Sequence, residues 1–577
     1  MNTLQERIQL TFKEYRPQVF LTVFLLAVVG TLASLIIYPF HDTGRAENLF
    51  AKSSFYFFNG LFVTWIYCLH QWRNTVFSNI SGYTKACALF FCLLLTLIVW
   101  FGVEHSFKVL SDEANLMAIS QSFTFEKTAY NHTMGRWYYD NFWPISNQLD
   151  KRPILFPYLL QFLHVIFGYS IANVYILNSL FLFLFLYVVF TLVFPIGGFL
   201  GGIAGMFFVL AQPILSITAI SGGFDLFACL LQISVAYMVL QLCKKENPTL
   251  RPLIWYTLVL LVHARYENLI AFPIVIGTLW FFKKFSFSDL KKNPYLYSLS
   301  LIFLIPRIWQ FMVPQNYENP PGVPVLGWSN FVKHFPTFAS DFFNMNFDLP
   351  YATILNVGGV AIALTWALVF LKKRTSLLPK NYFPFAIIIF TFACSELCIT
   401  LSHHFGVFNH PTQARLFLVF MVTLSLSPFL LHGILGYFPK KAALLVAASL
   451  FLVYFPIAQE NRFVNKLTII RKTRWAYSFF DNLKDKNILI IVDRPGVYTI
   501  RPTGAVDFNW ANSNIQTIRD DLKRRLYNDV YVLEDVPYGR ERSQLSDKFE
   551  LQTVFERQNT PQMQVRISKV ISTEPKL

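Results

Sequence analysis

Apolar runs of 11 to 24 residues, separated by polar breaks, fill the chain to about residue 455; a different pattern of shorter, β-branched runs follows. A helix that crosses a bilayer needs roughly 20 predominantly apolar residues, because no backbone polar group can go unpaired in hydrocarbon. Val19–Phe40 meets this, Ser54–Leu69 and Ala86–Val103 follow, and then comes a long polar loop from His105 to Arg152. Further spans are expected at Ile171–Phe194, Gly197–Ile220 and Leu226–Leu242. Pro252–Val262 and Leu269–Phe282 read as a short pair meeting at a polar turn. Tyr295–Val313, Tyr351–Leu371, Tyr382–Leu401, Leu416–Leu431 and Ala442–Phe455 complete the series. The pattern therefore predicts a polytopic α-helical membrane protein with about thirteen transmembrane helices over residues 1–458, with outer loops at about 104–153 and 314–350.

Beyond residue 459 the period changes. Asn487–Val492 is a short apolar run ending in the turn signal Asp493-Arg494-Pro495-Gly496. Ser513–Tyr527 reads as a charged helix, and Asp529–Val536, Phe549–Phe555 and Met563–Ile571 read as strands. Residues 459–577 are expected to form a small C-terminal α/β soluble domain outside the cytoplasm.

Composition agrees with this division. Charged residues make up 14% of the chain and mean hydropathy is +0.43, against about 25% charged in soluble globular chains. The net charge of +16 does not indicate nucleic-acid binding. Its Lys and Arg cluster in short loops, which is what the positive-inside rule produces. Lys13 and Arg16, Arg73 and Lys85, Lys244, Lys245 and Arg251, Lys283 and Lys284, Lys291 and Lys292, Lys372 to Arg374, and Lys440 and Lys441 then all fall on one side, the cytoplasm. This topology puts the N-terminus inside and the C-terminal domain in the periplasm of a bacterial inner membrane. The seven cysteines form no disulfide framework and no zinc pattern. P-loop, GxGxxG and HExxH motifs are absent, so ATP-driven transport and zinc proteolysis have no support.

Three constellations could carry chemistry. Asp112-Glu113 lies in the first outer loop; adjacent carboxylates suit a general base or a divalent metal, and equally suit a helix start capped by Ser111. His263-Ala264-Arg265-Tyr266-Glu267-Asn268 separates two short apolar runs. Arg265 there suits a phosphate, because the guanidinium fork donates two parallel hydrogen bonds; an Arg265–Glu267 pair tightening an outer turn explains the same residues. Ser402-His403-His404 through Arg415 repeats the combination, with Arg415 either at a phosphate or snorkelling to headgroups. Glu396, inside the preceding run, needs a partner, for which Arg415 and Arg307 are the cationic choices; Asp225 opens a span beside Gly222-Gly223 and suits a helix start. Asn131-His132-Thr133 matches a glycosylation sequon on the outer side.

The first outer loop closes with Asp150-Lys151-Arg152-Pro153-Ile154-Leu155-Phe156-Pro157-Tyr158-Leu159-Leu160. An acidic pair, roughly forty residues, and then an Arg-Pro…Pro-Tyr-Leu-Leu stretch resembles the first lumenal or periplasmic loop of the GT-C glycosyltransferases. It is most similar to the branch holding protein O-mannosyltransferases and the bacterial enzyme that adds aminoarabinose to lipid A. Here a hairpin, Val19–Leu69, precedes the loop, whereas that family usually places the pair after its first span. The resemblance implies catalysis by Asp112 and Glu113, with a divalent metal there if any, and a sugar donor on a polyprenyl phosphate. By their own chemistry Arg265, Arg415, Lys151 and Arg152 are the candidates to hold that phosphate, and His403, His404, Glu267 and Glu396 the candidates for the substrate pocket, with a lipid, glycan or protein as acceptor. A transporter or flippase of lipid-linked sugars is the alternative; such proteins usually repeat one half in the other, and no repeat is visible.

Overall fold

The computed structural model describes residues 43–573 apart from 77–79, 139–140, 248, 286–293, 313–323, 346–348, 374–382, 433–436, 461–463, 465–466, 485–486, 538–544 and 546–547; before residue 43 it describes 22–23, 26–31 and 33. The expected span Val19–Phe40 lies largely outside these.

Among the described residues, five helices are long and apolar enough to cross a membrane: Gly82–Gly102, Ala172–Leu210, Asp225–Lys244, Phe383–Ser402 and Lys440–Glu460. Six shorter apolar segments accompany them: Leu155–Phe167, Leu250–Ala264, Tyr266–Phe281, Leu299–Met312, Thr353–Val369 and Ala414–Leu430. The 39-residue run Ala172–Leu210 contains a non-helical glycine, Gly198, at φ 62°, a value that favours glycine. Its two limbs fold back on each other, as the two separate runs in the sequence require. A Cβ built on Gly202 would lie 2.4 Å from the Phe190 ring, and one on Gly205 would lie 3.1 Å from Val193 Cγ2. Small residues at such crossings let helix backbones approach closely in lipid, where packing rather than water drives association.

Asp225–Lys244 is the central helix, with 83% of its apolar window buried, whereas Gly82–Gly102 has 28% buried and turns Phe90, Leu93 and Phe101 outward. Asp225 and Lys244 mark opposite ends of a helix about 30 Å long, close to the hydrocarbon thickness. Lys440–Glu460 runs further than the expected Ala442–Phe455, taking in Pro456 to Ala458.

The long loop that begins at His105 is structured. It forms a helix, Leu110–Phe125, and a hairpin of β1 (Gly135–Tyr138) and β2 (Asn141–Pro144). These strands join β3 (Ile488–Val492), β4 (Gly504–Val506), β5 (Asp529–Pro537), β6 (Glu550–Gln558) and β7 (Met563–Ser572) in one seven-stranded sheet, order β2-β1-β4-β3-β5-β7-β6. β3 is parallel to both β4 and β5 and is buried throughout, which explains why its sequence is continuously apolar rather than alternating. Ile488, Ile490 and Val492 face the core shared with the membrane helices, while Leu489 and Ile491 face a second core with Phe508, Ala511 and Ile518.

Side chains bind the sheet to the loop. Gln121 and Trp137 both donate to the Thr499 carbonyl, at 3.3 and 3.0 Å, Tyr169 donates to the Ile500 carbonyl at 2.9 Å, and Arg136 pairs with Asp521 at 3.0 Å. The helix Thr468–Asp481 adds an Arg474–Glu104 pair at 3.0 Å.

The hairpin at Gly198 makes a testable claim. Gly202→Val should lower the apparent thermal midpoint of the detergent-solubilised protein, by a destabilisation of about 1–3 kcal/mol as for overpacked cores. Gly277→Ala, where a Cβ meets nothing within 4 Å, should leave the midpoint unchanged. Equal midpoints for both variants would remove the close crossing.

Candidate functional site

Charged residues enter apolar surroundings only where something compensates them, and here helix ends supply both the charges and part of the compensation. Asp112 and Glu113 occupy the first turn of Leu110–Phe125, and Asp225 the first turn of Asp225–Lys244, where the helix dipole favours anions. Arg265 follows the C-terminus of Leu250–Ala264, where it favours cations. The expected cap at Ser111 is not formed: the helix starts after Val109 with no side-chain cap, and Ser111 sits inside its first turn.

These ends meet in one chain of alternating charge. Arg152 donates to Asp112 Oδ1 from Nε at 2.9 Å and from Nη2 at 2.5 Å. Asp112 Oδ2 accepts from Arg415 Nη2. Arg415 Nη1 donates to Asp225 Oδ2 at 3.1 Å, Asp225 Oδ1 lies 3.4 Å from Arg265 Nη1, and Arg265 Nη2 donates to Glu267 Oε1 at 3.3 Å. At the near end, Arg152 Nη1 donates to Asp150 Oδ2 at 2.6 Å, and Asn115 and Asn131 donate to the same oxygen. Asn131 is thereby buried, 4% exposed, and the sequon there is not presented to solvent.

Asp225, read from the sequence as a helix start, is the link that joins Arg415 to Arg265. Glycines allow its approach: a Cβ on Gly223 would lie 3.1 Å from Asp225 Oδ2 and 3.5 Å from Glu113 Oε1, and one on Gly222 would lie 2.8 Å from the Phe107 ring. Asn178, inside an apolar run, pins this turn by donating to the Ser221 and Gly223 carbonyls at 2.7 and 2.9 Å.

The two adjacent carboxylates sit in opposite fields. Burial pushes the Asp112 carboxyl up, but Arg415 and Arg152 outweigh it and hold Asp112 below the ordinary carboxylate value. Glu113 is buried, with Oε2 accepting from the Lys108 amide at 2.7 Å. Burial dominates there, and its pKa rises to about 7 despite Arg415 and Lys108. Burial also lowers the Lys108 ammonium to about 8, against the pull of Glu113 and Glu104.

The remaining sequence candidates are placed as follows. Lys151 has no hydrogen bond or ion pair to the cluster among the described residues. Glu396 is met by the Gln232 amide, which also donates to Asn268 at 2.7 Å, rather than by Arg415 or Arg307. Arg307 donates to Gln310 and stacks on Phe311, 4.5 Å from its ring centroid; Gln310 in turn donates to the Arg152 carbonyl at 2.6 Å. His403 and His404 stack on each other and are held against the Val325–Leu326 backbone, with no hydrogen bond or ion pair to the charge cluster among the described residues.

A divalent metal does not fit at Asp112. Both carboxylate oxygens are taken by guanidinium groups, whose charge opposes a cation, and no group of three or more His, Cys, Asp or Glu suited to a metal occurs among the described residues.

Solved structures similar to this chain include ArnT from Cupriavidus metallidurans bound to undecaprenyl phosphate, and the same protein in the apo state. The first has TM-score 0.46 and 12% identity, covering 84% of this chain and 98% of that one. The second has TM-score 0.46 and 11% identity, covering 86% and 100%. No protein-family model matches the sequence, and no curated protein matches it.

Two outcomes test the electrostatics. Asp225→Asn removes the carboxylate that two buried arginines share, leaving Arg415 with Asp112 and Arg265 with Glu267, and removing one partner of a buried pair costs about 3–5 kcal/mol; the apparent thermal midpoint should fall clearly, whereas Asp520→Asn, beside Gln516 at the surface, should be silent. Parity between the two would mean Asp225 carries no structural charge. For Glu113, the folded pKa is raised, so its contribution is present below the unfolded value near 4.5 and lost as pH rises through about 7. Glu113→Gln escapes that loss. Its stability relative to the parent should therefore grow between pH 5 and 8, by up to about 3 kcal/mol. A difference independent of pH would contradict the raised value.

Proposed function

We propose that this chain is a membrane glycosyltransferase that takes a sugar from a polyprenyl-phosphate carrier and passes it to an acceptor hydroxyl on the outer face of the membrane. The observation that carries this is the convergence of Arg152, Arg415 and Arg265 on two bridging carboxylates, Asp112 and Asp225, at the end of the central apolar helix. A lipid-linked phosphate needs a guanidinium cluster for its head, and this cluster lies at the end of an apolar helix.

The cluster's own charge accounts for the chemistry. Three guanidinium groups face Asp112, Asp150, Asp225 and Glu267. An arriving phosphate competes with Asp112 for Arg152 and Arg415 and makes the site more negative. Asp112 then loses the two partners that depress its pKa and becomes a stronger base. The acceptor oxygen attacks the anomeric carbon opposite the phosphate, the carbon–phosphate-oxygen bond breaks, and the hydroxyl proton passes to Asp112. Polyprenyl phosphate leaves, and configuration at the anomeric carbon inverts. Asp112 is the favoured base because its side chain is 23% exposed, while Glu113 is enclosed behind the Gly222–Gly223 turn; Asp225 positions Arg415 and Arg265.

The orientation follows from charge. Lys244, Lys372, Lys373, Lys440 and Lys441 lie at helix ends, and the positive-inside rule assigns such ends to the cytoplasm. The site, at the opposite end of Asp225–Lys244, and the C-terminal sheet then face the periplasm of a bacterial inner membrane.

Purified protein in nanodiscs should bind undecaprenyl phosphate and release it from one member of a panel of polyprenyl-phosphate sugars. Asp112→Asn should cut turnover by about 10²-fold or more, as loss of a general base does, while binding undecaprenyl phosphate at least as tightly as the parent. Arg415→Lys should weaken that binding, because the ammonium keeps the charge and loses the fork. Loss of binding and turnover together in Asp112→Asn would make Asp112 structural, and unchanged binding in Arg415→Lys would remove the phosphate from this cluster.

A further inference from the structure

The C-terminal sheet has a feature that its strand order dictates. β3 sits between β4 and β5 with all three parallel. The chain leaves β3 toward β4 on one side, then crosses through the helices Phe508–Ser513 and Ile515–Lys523 to β5 on the other. In open sheets with parallel strands, a reversal of this kind opens a crevice beyond the carboxyl ends of the strands, and ligands bind there.

A cavity of about 210 Å³ occupies that place. Its wall includes Asp493 and Arg494 just after β3, Asp535 near the end of β5, Lys472 from Thr468–Asp481, Asn559 from the β6–β7 turn, and Leu110. Lys472 Nζ donates to Asp535 Oδ2 at 2.6 Å, which leaves Asp535 Oδ1 buried without a hydrogen-bond partner among the described residues. The side chains of Asp493 and Arg494 are exposed and make no hydrogen bond or ion pair among the described residues. The lining thus offers acceptors and donors in nearly equal number, with opposite charges in balance. A cavity built for a phosphate would be dominated by cations. Paired carboxylate, guanidinium and amide groups instead match the mixed donor and acceptor pattern of hydroxyl groups. The volume is below the roughly 300 Å³ at which drug-sized pockets begin, and suits one sugar ring.

Leu110 lines this cavity from the helix that carries Asp112, two residues away and on the opposite helix face, and an Arg474–Glu104 pair joins the helix that carries Lys472 to the segment leading into it.

We propose that this crevice binds a sugar ring of the acceptor, held beside the helix that carries Asp112. Sugar binding stands on the crevice itself; the role as acceptor site rests on the transferase reading above. Saturation-transfer NMR on the full chain in nanodiscs should detect saturable binding of at least one of glucose, mannose, galactose or N-acetylglucosamine, with glycerol as the comparison. Asp493→Asn and Arg494→Gln, both at exposed positions, should each weaken it at least 5-fold, and Lys484→Gln should not. No sugar exceeding glycerol, or unchanged binding in both crevice variants, would overturn the site. Undecaprenyl phosphate should bind the same variants as it binds the parent. If the variants instead weaken a polyprenyl-phosphate sugar while sparing bare undecaprenyl phosphate, the crevice holds the donor sugar and the acceptor assignment is overturned. If the parent binds monosaccharide but no undecaprenyl phosphate, the transferase reading fails and takes the acceptor role with it, while sugar binding by the crevice stands.

Discussion

A buried chain of alternating charge, Arg152–Asp112–Arg415–Asp225–Arg265–Glu267, is the constraint on which the rest of this molecule depends. The links come from five parts of the sequence: the start of the helix Leu110–Phe125, the segment before Leu155–Phe167, the late segment before Leu418, the start of the central helix, and the segment that follows Leu250–Ala264. Isolated, any one of these charges would be expensive at its depth. Held together they neutralise one another, but only while every helix end stays in register. The network therefore fixes the relative positions of helices whose apolar faces alone would slide, since lipid tails and leucine side chains offer similar surroundings. A self-neutralised network is also primed for exchange: a ligand anion can replace one of its carboxylates without creating an unpaired cation.

The α/β unit is coupled to this network rather than appended to it. β1 and β2 come from the loop that carries Asp112 and complete the C-terminal sheet. Trp137, Gln121 and Tyr169 bond to consecutive carbonyls at Thr499 and Ile500. Displacement of the sheet would move the helix that holds Asp112 and Glu113. The α/β unit is thus positioned to move the charge chain without supplying a residue to it.

Much of this was legible in the sequence, for physical reasons. Spanning helices need length and apolarity, so Ala172–Leu210 and Phe383–Ser402 were evident from hydropathy, and the two runs on either side of Gly198 are the limbs of a hairpin. Ile488–Val492 was readable because a strand buried on both faces is continuously apolar. Asp112, Arg152, Arg265 and Arg415 stood out as charges bordering apolar runs. Other features depend on contacts distant in sequence. β1 and β2 are four residues each, too short to show alternation, and β1 finds its partner at Ala505. Asp225 has the local signature of a helix start; only the convergence of other helix ends makes it a bridge. Glu396 seemed to need an arginine, yet a neutral amide, Gln232, meets it.

The central claim is that Asp112 guards a phosphate site and yields its arginines to the donor. A structure of the protein with bound undecaprenyl phosphate tests it most directly. The account predicts phosphate oxygens about 2.7–2.9 Å from guanidinium nitrogens of Arg152 and Arg415, with Asp112 turned away from both. A phosphate bound elsewhere, with the Asp112–Arg152 and Asp112–Arg415 pairs intact, would contradict it.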